Sequence, residues 1–248
     1  KNKTIFEHLE EISNFDFVDY VQLDHKVSQR EIPNDPYFNQ MWGLNNTGQN
    51  GGQFDGDIDA EEAWDITTGG LTSIGDEIVV AVVDGGVDIN HPDLISNIWV
   101  NENEIPNNGI DDDGNGYVDD INGWDAYSND GSIPSDNHGT HVAGTIGAKG
   151  NNNSDVVGVN WNVKIMSVAG SSGSTSTISL AYGYILDQKS LWLSSNGEFG
   201  ANVVATNSSF GVDNANCNSG SYPVWNDLYD AMGQVGILSA AATTNSNQ

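Results

Sequence analysis

The residues best suited to chemistry sit at a few abrupt joints in the sequence. An apolar run, Ile78–Val83, leads straight into Asp84, and Gly85-Gly86 behind it permit a tight turn. A second joint, Asn137-His138-Gly139-Thr140-His141, opens a helical stretch with a histidine at its start. Two further apolar runs end in polar tips, Asn207-Ser208-Ser209-Phe210-Gly211 and Thr243-Thr244-Asn245. An acid, an imidazole and amide donors brought to one crevice form the inventory for acyl transfer: a base, a carboxylate to orient it, and a donor for a developing oxyanion. Taken singly, each has a plainer reading. Asp before Gly-Gly is an ordinary turn, and His138 with His141 at i, i+3 makes an incomplete zinc pair with no acidic partner on its helix.

A different chemistry is written in Asp111-Asp112-Asp113-Gly114-Asn115-Gly116-Tyr117-Val118-Asp119-Asp120. Acids or an amide at positions 1, 3 and 5 with Gly at 6 match the first half of a calcium loop. Asp111, Asp113 and Asn115 would share a face, with the Tyr117 carbonyl as a fourth ligand. Position 12 is Asn122 rather than Glu, so Asp120, or else Asp119, is the candidate to close the shell. The plain alternative is a solvated acidic loop.

The elements that must position these residues follow from periodicity. Ile78–Val83, Val163–Val168, Asn202–Thr206 and Ile237–Ala242 read as buried strands, and His138–Ala148, Ile178–Gln188 and Trp225–Met232 as helices. Their alternation predicts a parallel sheet with helices on both faces, whose strand C-termini are where ligands bind. Asp59 is expected to cap a short helix running through Trp64 to Ile66. Lys1–Ser13 reads as the remnant of a helix and Phe15–Val27 as a strand, and the prolines in Glu31-Ile32-Pro33-Asn34-Asp35-Pro36 mark a boundary.

Composition narrows the function. The 248 residues carry a formal charge of −28, from 35 acids against 7 Lys and Arg, which excludes nucleic-acid and anionic membrane-surface partners. At 37% hydrophobic the chain supports a real core. The longest apolar run is far short of the roughly 20 residues of a membrane helix. Cys217 stands alone, so it forms no internal disulfide and leaves the redox compartment open. Without an initiator Met, the chain is expected to be a processed or shortened piece.

Val79-Val80-Ala81-Val82-Val83-Asp84-Gly85-Gly86-Val87-Asp88 with His91-Pro92-Asp93-Leu94 resembles the aspartate motif of the subtilisin-like serine proteases, and Asn137-His138-Gly139-Thr140-His141-Val142-Ala143-Gly144-Thr145 their histidine motif. The chain order Asp then His agrees. The resemblance runs from about Asn34 to the end of the chain and implies a three-layer α/β fold of a secreted endopeptidase. It implies that Asp84 orients His138, that His138 is the base, and that Asn245 serves the oxyanion, although Thr244 stands where the family has Gly. Ser209-Phe210-Gly211 would wall the primary specificity pocket, and Ser171-Ser172-Gly173 would pair with the backbone of polypeptide substrates. Ser208 is left without a role; His91 and His141 are expected to be structural, and His8 and His25 inert. The family's Gly-Thr-Ser-Met-Ala motif is absent. This chain alone is therefore expected to be inactive and its fold incomplete without a C-terminal segment or partner chain carrying the Ser, with which Cys217 is free to pair.

The resemblance also implies a calcium site built from Asp35, Asp93 and the loop Asn151–Val157, including Asn153, and a third at Asp125 with Asp130. Residues 1–32 resemble the end of a pro-peptide, with maturation near Arg30–Asn34, which leaves 33–248 as the N-terminal part of the catalytic domain. The alternative is a catalytically dead, calcium-binding module that keeps the fold as an interaction surface.

Overall fold

The computed structural model describes residues 3–23, 32–212, 215–216, 218 and 220–243. Five strands form one wholly parallel sheet in the order β2-β3-β1-β4-β5: β1 Val79–Asp84, β2 Gly123–Asp125, β3 Lys164–Ala169, β4 Val203–Ser208 and β5 Leu238–Ala241. The β-branched run of β1 makes it the natural centre, since a strand covered on both faces needs apolar side chains at every position. Its alternate residues feed two cores. Val79, Ala81 and Val83 pack with α4 (Thr175–Ser194) and α5 (Pro223–Gln234) through Ile178, Ala181, Tyr182, Ile185 and Met232. Val82 packs with Ala143 of α3 (Asn137–Gly147) and with Ile165. One helix on one face and two on the other give the expected three layers.

Several elements differ from the sequence reading. A fifth strand, β2, pairs with β3 at Gly123↔Ser167 through Asp125↔Ala169. Helix α4 begins at Thr175 because the Ser174 side chain accepts the Thr177 N–H, an N-cap that extends it a full turn before Ile178. The short helix α2 (Ala60–Trp64) lacks the expected cap. Asp59 has left-handed backbone and makes no capping bond, while the Asp57 carboxylate accepts the Asp59 N–H. At the N-terminus, Thr4 and Glu7 form a capping box for α1 (Ile5–Ser13), but residues 15–23 form turns and coil rather than a strand. No described helix is long and apolar enough to cross a membrane.

The two faces of the sheet are not equally covered. Residues paired across parallel strands project to the same side, so Val80 and Val82 of β1 share the α3 side with Ala205 and Asn207 of β4, and these with Leu238 and Ala240 of β5. Helix α3 packs on β1 and β3. On β5 that side is open, with Leu238 73% exposed and Ala240 exposed.

Candidate active site

Strand β1 delivers Asp84 to the C-terminal edge of the sheet, where its side chain is 5% exposed. Helix α3 starts against it. Asp136 caps this helix by accepting the Gly139 N–H at 2.9 Å, which fixes the first turn and aims His138 back over β1. His138 Nδ1 lies 2.9 Å from both Asp84 oxygens, while its side chain remains 62% exposed. The hydrogen bond to Asp84 and its charge raise the His138 pKa above the ordinary imidazole value, against a smaller opposing effect of burial.

The glycines of both motifs explain the close approach. A Cβ at Gly139 would stand 2.0 Å from the Gly86 carbonyl oxygen and 3.0 Å from the Asp84 Cβ. Gly86 adopts φ +124°, and a Cβ there would meet the Pro134 carbonyl. Thr140 completes the joint: its hydroxyl donates to the Asp136 carbonyl and accepts the Asp88 N–H at 2.8 Å.

Ser171, Ser172 and Gly173 follow β3 along the same edge. Gly170 and Ser171 donate their N–H groups to the Asp84 carbonyl at 2.8 and 3.2 Å, which ties this segment to the acid. On the other side, β4 ends at Ser208, whose carbonyl accepts the Ala242 N–H. The Ser208 hydroxyl lies 2.6 Å from Tyr182 Oη, itself 3.1 Å from Tyr229 Oη. Ser209 Oγ accepts from Asn207 Nδ2, Phe210 packs edge-on to Trp225, and a Cβ at Gly211 would meet nothing within 4 Å among the described residues. Asn245 lies outside the described residues, as do Cys217, His25 and Arg30.

The acidic loops gather carboxylates in the manner of cation sites. Asp111 accepts the Asn115 and Gly116 N–H groups, and Asp113 accepts the Asn115 N–H, so the loop curls around its own carboxylates. Carboxylate oxygens of Glu104, Asp111 and Asp113 all come within 4.8 Å of one another. Glu104 is the member that sequence reasoning missed. It stands seven residues before the motif, is buried, and receives the Asp112, Asp113 and Asp119 N–H groups. Asp120, the residue expected to close the shell, is not one of the three clustered carboxylates, although Asn101 and Asn115 each donate to both it and Asp113. It is fully buried and accepts from Asn101, Asn115, Tyr184 and Gln188, and burial pushes its pKa up to about 7. The Tyr117 hydroxyl donates to Asp187, and its ring packs on Trp124 and Tyr184.

Asp35 and Asp93, both buried, converge on the loop at 151–157. Asp35 accepts the Asn151 N–H, and Asp93 accepts from Asn152 and the Val156 N–H, with burial raising the Asp93 pKa. The second Asp35 oxygen is buried with no hydrogen-bond partner among the described residues, as expected of a ligand position. The Asn153 N–H donates to the Asn34 side chain. Asp125 and Asp130 face each other through a backbone bridge, each carboxylate closing its own turn through the Tyr127 and Ser132 N–H groups.

The acid–histidine pair stands at the C-terminal edge of a parallel three-layer sheet, and the comparisons give the family of this fold. The profile of the subtilase family, Peptidase S8, matches residues 75–248, and the chain belongs to that family. Subtilisin-like protease 1 of Plasmodium berghei is 44% identical over 135 residues, 54% of this chain and 20% of that protein. The Plasmodium falciparum protein of the same name is 52% identical over 89 residues, 35% of this chain and 13% of that one. The chain thus spans a small part of the length of the relatives it matches. Among solved structures, a protease from Pseudoalteromonas arctica is 28% identical with a TM-score of 0.52, covering 84% of this chain and 58% of that one.

Proposed function

We propose that residues 33–248 form the N-terminal part of the catalytic domain of a secreted, calcium-stabilised subtilisin-like serine endopeptidase. In this reading residues 1–32 are the end of its pro-region. The observation that carries the proposal is the Asp84–His138 contact, 2.9 Å from Nδ1 to each carboxylate oxygen, at the strand edge where this family does its chemistry.

Asp84 holds the Nδ1–H of His138 and leaves the other ring nitrogen free as the base. That nitrogen takes the proton of a Ser hydroxyl as its oxygen attacks the scissile carbonyl carbon, and returns it to the departing amine. Asn245 donates to the oxyanion, and the resulting acyl-enzyme is cleaved by water through the same base. Ser171-Ser172-Gly173 and Ser209-Phe210-Gly211 flank an extended polypeptide substrate. The Ser comes from a further segment of the same protein, and the open α3 side of β5, with Leu238 and Ala240 exposed, supports this as the face it covers. A calcium ion supplies cross-linking of loops here, not a catalytic step. Asp111, Asp113, Asn115, the Tyr117 carbonyl and Glu104 would hold one, and Asp35, Asp93 and the loop with Asn153 another. Asp125 and Asp130 remain candidates for a third.

The test is labelling of the protein that joins this chain to its Ser segment with a fluorophosphonate, followed by peptide mapping. The expected result is a single modified Ser, lost in His138→Ala. A folded protein that resists the reagent would contradict the protease reading and favour a non-catalytic module.

A further inference from the structure

The segment that would lie along the substrate is braced by Tyr127, a residue between Asp125 and Asp130 that neither catalytic motif contains. Gly170 and Ser171 turn their N–H groups onto the Asp84 carbonyl, and Ser172 donates its own to the phenol oxygen of Tyr127 at 3.0 Å. Three successive N–H groups thus point inward. The same phenol oxygen lies 3.0 Å from Ser172 Oγ and 3.4 Å from Ser171 Oγ, so one hydroxyl, with one proton and two lone pairs, organises both serines. Tyr127 is itself anchored. Its N–H donates to Asp125, and the neighbouring Ala126 N–H donates to the Ala169 carbonyl at the end of β3.

The ends of the segment are rigid without Tyr127. Its start is the last register position of the β1–β3 pair, Asp84↔Ala169, and its end is Ser174, the N-cap of α4. Between them, Ser172 and Gly173 are exposed, and Gly173 takes φ +96°. An exposed stretch with such a residue has conformations to lose when an extended peptide lies along it, and a preformed edge spares that ordering cost.

We propose that Tyr127 is a positioning residue for extended substrates, holding 171–173 as a ready edge while touching neither the scissile bond nor the acid–histidine pair. This rests on the protease reading above. The test is Tyr127→Phe in the protein joined to its Ser segment, with active sites counted by fluorophosphonate. One substrate is a tetrapeptide amide long enough to run along 171–173; the other is a single-residue ester with the same residue at the cleaved bond.

Loss of the hydroxyl is expected to lower the tetrapeptide-over-ester ratio of kcat/KM about three- to tenfold, the range of one hydrogen bond, with the change carried by the tetrapeptide KM. An unchanged ratio, or an equal fall for both substrates, would overturn the positioning role. A wild-type protein that takes no label would instead overturn the protease reading and this inference with it. A labelled wild type with an unchanged ratio sinks Tyr127 alone.

Discussion

At the residue scale, what matters is the asymmetry between Asp84, almost fully buried, and His138, mostly open to solvent. The buried carboxylate accepts the Gly85 N–H on one oxygen and meets the imidazole with both. Because the contact raises the imidazole pKa, kcat/KM should climb with pH on a limb lying above the ordinary value of 6.5, since only the neutral ring accepts a proton. Asp84→Asn should move that limb to lower pH and reduce the rate by about 10³- to 10⁴-fold, measured as a pH–rate profile. The sign for stability is opposite. The contact stabilises the fold fully below the unfolded imidazole pKa and less as pH rises through the raised folded value. The exposure of the ring keeps that effect small.

At the element scale, close packing of α3 on β1 positions the pair. Gly139→Ala should destabilise the fold by about 1–3 kcal/mol in urea unfolding, because its Cβ meets backbone that has no room to retreat. The cation loop makes a second prediction at this scale. Glu104→Gln should remove most of the calcium-dependent rise in Tm attributable to this loop, read by thermal unfolding with and without calcium. The central strand, three of the other four strands and the three large helices were legible in the sequence because their apolar periodicity is strong. Strand β2 was not, because three residues reading Gly-Trp-Asp carry no period, and the ladder to β3 rather than side-chain pattern makes them a strand. Glu104 was hidden for a related reason: its carboxylate reaches the loop only through the fold. The burial of Asp120 was not legible from spacing either, because two of its four donors, Tyr184 and Gln188, come from α4, far along the chain. The Asp84 and His138 assignments were readable because each sits inside a long, independent motif.

At the scale of the whole molecule, the charge of −28 and the buried carboxylates around two loops make the proposed dependence of stability on cations testable. Saturating calcium at 100 times its dissociation constant should add about 2.7 kcal/mol per independent site, and a chelator should lower Tm accordingly. An unchanged Tm in chelator would contradict both loop assignments. In the protease reading, the open side of β5 makes stability depend also on the segment that brings the Ser. Burial of Leu238 by that segment should raise Tm when the two are joined. The central claim, that Asp84 holds His138 in the orientation of a base, needs neither the Ser nor a substrate to be tested. The decisive measurement is an NMR titration of the His138 ring in this chain and in Asp84→Asn. The account predicts a wild-type pKa above 6.5 that falls on removal of the Asp84 charge. Identical titration curves in the two proteins would contradict it.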